Sequence, residues 1–416
     1  MRYFVLVLSL VLAAGVGGCG RTQAQAAQPE APAVAAPGEA LVAGNNDFAV
    51  RLYQQLRGRG GNLFYSPYSI STALAMTYAG ARGETERQMA RTLGFSLPQQ
   101  ELHPAFRALA EDLAARGKEM EGFRLHLANA LWGQQGHPFL PGFVDLLARD
   151  YGAGLKLVDF TRDPEGARRT INQWAEKETE NKIKDLVPPG LINPLTRLVL
   201  ANAIYFDAKW LSPFAKDGTR PAPFTLASGQ KVDVETMHET LPAGYAEEGG
   251  WQVVELPYRD RNMAMDVLLP SSGALREADQ SLDAARLASL LGRLKRQSVA
   301  LSLPQFTYES SFNLNDALSA MGMPDAFDRD RADFSGMDGK RDLLIGFVVH
   351  KALVRVDEEG TEAAAATAVG MQLKAAPAAP RVVDVDRPFL FLVRDTKTGT
   401  MLFVGRVMDP RGTGAK

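Results

Sequence analysis

Two hydrophobic periods divide the chain. In the first half apolar residues recur at spacings of three and four: DFAVRLYQQLRG behind Asn46-Asp47, SPYSISTALAMTYAGA with Pro67 in its first turn, and residues 99–118 and 164–180. Each spacing lays one apolar stripe along an α-helix, and Asn46-Asp47 is the expected cap of the first. From FRLHLANALWG (123–133) the period shortens to two. It recurs in TRLVLANAIYFDAKW (196–210), WQVVELPY, NMAMDVLLP, VALSLPQF, PFLFLVRD and TMLFVGRV. These are strands, and Asp395 to Gly399 turns the last pair into a hairpin. Helices crowd the first half and strands the second, with neither repeat nor linker between residues 45 and 411, so one α+β domain on large sheets is expected.

One segment carries both signals. EEGTEAAAATAVGMQLK (358–374) has the composition of a helix. From Thr361, however, the alternate positions Thr361, Ala363, Ala365, Thr367, Val369, Met371 and Leu373 carry no charge and grow more apolar, while those between are small or polar. That is a strand with one face meant for a core. No proline interrupts it before Pro377.

The first nineteen residues, MRYFVLVLSLVLAAGVGGC, have a basic start, an apolar stretch and small residues before a cut. Residues 1–18 are read as an export signal. Val-Gly-Gly-Cys resembles a loose bacterial lipobox, which would leave Cys19 lipidated and the protein on a membrane; an ordinary secretory signal is the alternative. Residues 19–44, rich in Ala, Pro and Gln, read as a tether. Cys19 is the single cysteine, so no internal disulfide can form. A formal GxGxxG at 15–20 falls in this leader and follows no strand of a domain, so it is no nucleotide site.

Among 416 residues the net charge is −2 with mixed signs, which gives no reason to expect nucleic acid. Nucleophile-elbow, P-loop and HExxH motifs are absent, and the five histidines show no pair at metal spacing. No cofactor, metal or catalytic residue is expected. His350, in LIGFVVHKALVRV, and Asn202, in VLANAIYF, are polar groups inside apolar strands and must find buried partners. Ser66 and Ser69, flanking a helix start, could cap it or supply them.

Together these pieces resemble the serpin family. The resemblance is carried by NLFYSPYSISTALAMTYAGARGET, LANAIYFDAKW, VHKALVRVDEEGTEAAAA and VDRPFLFLV, in that order, and covers residues 45–411. It implies a serpin fold: three β-sheets, about eight or nine helices and an exposed reactive-centre loop. It places Ser66, Ser69, Asn202 and His350 in the shutter beneath the central sheet, and Trp210 and Glu358 in the breach above it. A basic residue that often faces the breach glutamate is Gln305 here, which leaves Glu358 without an assigned partner. The hinge would be Glu358, Glu359, Gly360, Thr361, Glu362, Ala363, Ala364, Ala365 and Ala366, and residues 361–374 an exposed loop that enters the sheet after cleavage.

Counting from Glu358 as in inhibitory serpins puts the scissile bond at Lys374–Ala375, suited to a trypsin-like protease; Met371 or Leu373 would suit elastase- or chymotrypsin-like enzymes. The implied function is covalent trapping of a serine protease by a monomer that is itself no enzyme. A non-inhibitory serpin, acting as a binding or chaperone protein, is the alternative. Small Ala363–Ala366 weigh against it. The helix at 99–118 mixes both charge signs and gives little support to a polyanion site.

Overall fold

The computed structural model describes residues 37–118, 123–152, 154–259, 261–271, 274–361 and 379–412. Cys19, Glu362 to Ala366, Met371, Leu373, Lys374 and Ala375 lie outside the described residues.

The first helix, Pro37–Leu56, starts within the stretch 19–44 read as tether. Leu41 and Val42 are buried and continue the apolar spacing back from Phe48, Leu52, Tyr53 and Leu56, so packing extends the helix towards the N-terminus. Asn46 and Asp47 therefore lie inside it and do not cap it. Asn46 grips the final hairpin, donating to the Gly399 carbonyl (2.8 Å) and accepting from the Met401 amide (3.0 Å). Asp47 pairs with Arg51 one turn on, at 2.7 Å. Ten α-helices occur among the described residues, where eight or nine are expected. Two of them, Leu275–Ala278 and Ser335–Asp338, are four-residue turns.

The central sheet has six strands: β1 (Phe123–Gln134), β2 (Lys156–Val158), β3 (Leu198–Lys209), β4 (Phe306–Asn313), β5 (Phe347–Val356) and β6 (Gly360–Thr361). Their spatial order is β4-β5-β6-β3-β1-β2. The other nine strands form a continuous ribbon, folded about the 18-residue strand Lys231–Glu248. Its first half pairs with Arg220–Thr225 and its last residues with Trp251–Pro257, which divides the ribbon into a small sheet and a larger one. The three sheets match the expectation.

Period two explains what β3 presents. Leu198, Leu200, Ile204, Phe206 and Ala208 face the main core, whereas Val199, Ala201 and Ala203 join a second core packed against the helix Pro164–Glu178. Asn202 shares its parity with the main-core set. On β5, His350 likewise shares parity with Val348, Ala352, Val354 and Val356. Both polar groups thus point into the core that holds the helix Pro67–Tyr78.

Along most of their length β3 and β5 are direct parallel neighbours, from Phe347 opposite Val199 to Leu353 opposite Tyr205. Beyond that they diverge and β6 enters the gap. Thr361 stands opposite Val356 on one side and Ala208 on the other, and Gly360 opposite Lys209, antiparallel to both neighbours. Thr361, expected to open an exposed loop, is instead 1% exposed and part of the sheet. The chain reverses there because the Asp357 carboxylate accepts from the amides of Glu359 (3.0 Å) and Gly360 (3.3 Å), a side chain mimicking a turn.

Candidate functional site: the seam of the central sheet

Three polar side chains lie at one level across the sheet, Asn129 on β1 opposite Asn202 on β3, and Asn202 opposite His350 on β5. Above them starts the helix Pro67–Tyr78, with Pro67 in its first turn and Ser66 as its N-cap, whose hydroxyl accepts from the Ser69 amide at 3.1 Å. The cap leaves the Ser66 amide free to donate to His350 Nε2 at 3.2 Å. Nε2 is therefore the acceptor and the ring proton sits on Nδ1, which donates to the Asn202 side-chain oxygen. The Asn202 amide donates to Ser69 Oγ and to the Asn129 oxygen, and Ser69 Oγ also donates to that oxygen at 2.8 Å.

The structure thus brings Ser66, Ser69, Asn202 and His350 into one network. Asn129 completes it and was missing from the sequence reading. Its signal was there: Leu-Ala-Asn-Ala occurs at 127–130 and again at 200–203, the second time around Asn202. Complete burial holds the His350 pKa down at about 3, so the imidazole is neutral and bridges β3 and β5 without a charge. Its hydrogen bond to Asn202 is the side-chain tie across the two strands that pair in parallel.

A second cluster holds the end of the seam where β6 sits. Trp210 is buried flat against Tyr258, with ring centroids 4.7 Å apart and planes at 9°. Its indole N–H donates to the Asp357 carbonyl (2.9 Å) and its amide to the Glu359 carbonyl (2.9 Å). The Phe214 amide holds the Glu358 carbonyl at 2.9 Å, and the Tyr258 and Thr361 hydroxyls meet at 2.8 Å. Glu358 finds its partner in Thr219, whose hydroxyl donates at 2.6 Å. Gln305 and Glu358 both border a groove of about 740 Å³. Glu359 pairs with Lys216 at 2.8 Å, and that hydrogen bond raises the lysine pKa. Burial raises the Asp357 pKa, against the backbone donors and Arg355.

Gly360 has a steric reason to be glycine. A Cβ there would press on the Ala208 carbonyl and lie 2.8 Å from Lys209 Cα and 3.0 Å from the Ala208 carbonyl carbon, all backbone of β3. A side chain cannot enter the gap at this rung without moving the strand.

The arrangement can accept a strand. β3 and β5 are joined by a parallel ladder and by the buried His350–Asn202 bond, they diverge at one end, and the chain that follows β5 has already turned back between them. Known proteins share this architecture. Residues 43–410 match the family model described as serpin (serine protease inhibitor). The chain is 40% identical over 368 residues to an uncharacterized serpin-like protein of Thermococcus kodakarensis, covering 88% of this chain and 85% of that one. It is 39% identical over 383 residues to the leukocyte elastase inhibitor of Homo sapiens, covering 89% and 100%. The fold is similar to the native-state crystal structure of the thermophilic serpin tengpin, with TM-score 0.80, 29% identity, and coverage of 88% and 94%.

Proposed function

The chain belongs to the serine protease inhibitor (serpin) family, and we propose that it traps a serine protease covalently, as a substrate whose cleaved loop enters the central sheet. The observation that carries this reading is β6: Gly360 and Thr361 already occupy a rung between β3 and β5, antiparallel to both, in the orientation the following residues need to extend it. The alternating set from Ala363 to Leu373 supplies an uncharged inward face for that extension.

In the proposed sequence the target's serine attacks the Lys374 carbonyl. The Lys374–Ala375 amide breaks, the new amine at Ala375 leaves with a proton, and an ester joins Lys374 to the protease. Residues 362–374, freed from the chain beyond, then pair between β3 and β5 and carry the acylated protease along. The Lys374 side chain suits the acidic specificity pocket of a trypsin-like enzyme. Human leukocyte elastase inhibitor, among the relatives, supports a second reading, in which Met371 or Leu373 is the residue attacked. A non-inhibitory binding or chaperone protein would instead keep its hinge out of the sheet, and the seated Gly360–Thr361 rung speaks against it.

The test mixes the full-length protein with trypsin and, separately, with elastase, followed by denaturing gels and mass analysis of the released peptide. A denaturant-resistant complex and a peptide beginning at Ala375 would support the trypsin reading. A peptide beginning at Gln372 or Lys374 would move the bait to Met371 or Leu373. Clean cleavage without complex, and no gain in heat resistance, would sink loop insertion. Cys19 is further read as the lipid attachment point of an exported protein; incorporation of a labelled fatty acid by the producing cells, lost in Cys19→Ser, tests that reading.

A further inference from the structure

At the end of the seam away from β6, a second set of side chains faces across it. His137 lies just beyond β1, which ends at Gln134. Asp338 and Asp342 lie on the segment that leads into β5. One imidazole nitrogen and one oxygen from each carboxylate all fall within 4.8 Å of one another. His137 Nε2 contacts Asp338 at 2.8 Å. The Asp338 side chain is fully buried, and among the described residues its ion-pair partner is this histidine. Its other oxygen accepts the Lys340 amide at 2.7 Å. The nearby Arg341 is turned away onto Asp333 at 3.1 Å. Asp342 is exposed.

We propose that His137, Asp338 and Asp342 form a binding site for a divalent transition cation such as Zn²⁺, which clasps the seam shut at this end. One imidazole and two carboxylates are a donor set for a borderline cation, with water to complete the shell. A buried carboxylate gains from a full positive charge held beside it. Buried Asp338 fixes one ligand, the connector bearing His137 is held by the hydrogen bond from the Leu140 amide to the Met337 carbonyl (2.7 Å), and exposed Asp342 closes over the ion.

The topology gives the site its consequence. β1 pairs with β3 along its length, from Phe123 opposite Ala208 to Gly133 opposite Leu198, so His137 travels with β3. Asp342 lies on the stretch that leads directly into β5, which starts at Phe347. A cation held by all three would cross-link the two halves that must part when a strand enters, and would slow that step. The clasp rests on the loop-insertion reading; the cation site does not.

The experiment uses the full-length protein and zinc chloride. Equilibrium dialysis should find one Zn²⁺ per chain, and Asp342→Asn should weaken it at least tenfold while leaving the metal-free melting temperature unchanged. His137→Gln should weaken it likewise. Equal binding by the wild type and Asp342→Asn, or no binding at all, would overturn the site. A second arm cleaves the loop with a protease and follows the gain in heat resistance. Saturating Zn²⁺ should slow that gain severalfold in the wild type and not in Asp342→Asn. Zinc binding with an unchanged rate would overturn the clasp alone. No gain in heat resistance even without zinc would refute loop insertion, and the clasp with it, while the dialysis result still stood for the site.

Discussion

Replacing Gly360 with alanine should empty the rung that β6 occupies. The added carbon would crowd the Ala208 carbonyl and come within 2.8 Å of Lys209 Cα, and these atoms belong to the backbone of β3, so no rotamer relieves the contact. Gly360 is not among the residues with positive φ, so the obstacle to alanine is the contact with β3 and not the backbone conformation. The cheaper escape is therefore expulsion of Gly360 and Thr361. Leaving forfeits the ladder pairing of Gly360 with Lys209 and of Thr361 with Ala208 and Val356, together with the Tyr258–Thr361 hydrogen bond. At about 0.5–1.5 kcal/mol for each hydrogen bond, two or three of them amount to roughly 2–3 kcal/mol. A shift of about 2 kcal/mol changes the ratio of seated to expelled hinge by about 30-fold. Global stability should change less, because alanine also restricts the unfolded chain by about 0.4–1 kcal/mol.

The Gly360→Ala hinge should accordingly be cut faster at 357–361 by a non-specific protease. The emission of Trp210 should move as its indole loses the Asp357 carbonyl. More inhibitor should also be consumed per protease trapped, since the entering strand has lost its first rung. Unchanged cleavage, unchanged emission and unchanged stoichiometry would together refute the steric clamp.

Trp210→Phe keeps the stack on Tyr258 and removes the donor to the Asp357 carbonyl, leaving a buried acceptor unpaired; a loss of about 1–3 kcal/mol, read by denaturant midpoint, is expected. His350→Ala leaves both the Ser66 amide and the Asn202 oxygen without partners, and should lower the melting temperature while raising the rate at which the cleaved loop confers heat resistance. Acid should destabilise the native chain early. Burial depresses His350 to about 3 and His103 to about 4, so the stability tied to their neutral forms is whole above about pH 6.5 and falls as the pH drops towards those values. Each contributes a slope of up to about 1.4 kcal/mol per pH unit. Melting curves between pH 8 and 4.5 should show it, and His103→Gln should remove one proton's worth of the slope; equal slopes would mean that His103 titrates normally.

Much of this site was legible because polar residues in apolar strands are conspicuous. Asn202 and His350 break the period-two pattern at positions that must face the core, and a buried polar group needs a partner. The partners were harder to read. Thr219 is 139 positions from Glu358, and nothing near it in sequence marks it as the hydroxyl that would meet that carboxylate. His137 and Asp338 are 201 positions apart, so no spacing rule for metal ligands could join them. The start of the first helix was missed for a different reason. Residues 37–44 are dominated by Ala and Gly, and Leu41 and Val42 become part of a stripe only once tertiary packing supplies the surface they cover. The seated hinge was missed because it depends on the Asp357 carboxylate, which builds the turn that sends Gly360 back into the sheet and leaves no mark in the hydrophobic period.

The pairing directions explain why insertion would run downhill and why it would wait. Parting β3 from β5 breaks a parallel ladder from Phe347 to Leu353 and the His350–Asn202 bond. A strand continuing β6 would replace that ladder with two, each antiparallel, and antiparallel pairing is slightly the more stable per residue. On the proposed reading, the exchange would add rungs along the entering strand and would bury Val369, Met371 and Leu373 as well. Yet the same chain is tied at its far end, where Arg381 to Asp384 pair with the small sheet opposite Val299 to Ser302. Residues 362–374, extended at about 3.3 Å each, would reach about 40 Å from Thr361. While the backbone is intact, whatever enters at Thr361 must still return to Arg381, so each added rung shortens the chain left to span the way back. Cleavage after Lys374 removes that constraint without altering the contacts described among residues 37–361. The scissile bond itself would then be the lock, and the shutter hydrogen bonds would govern how fast the sheet opens once it is cut.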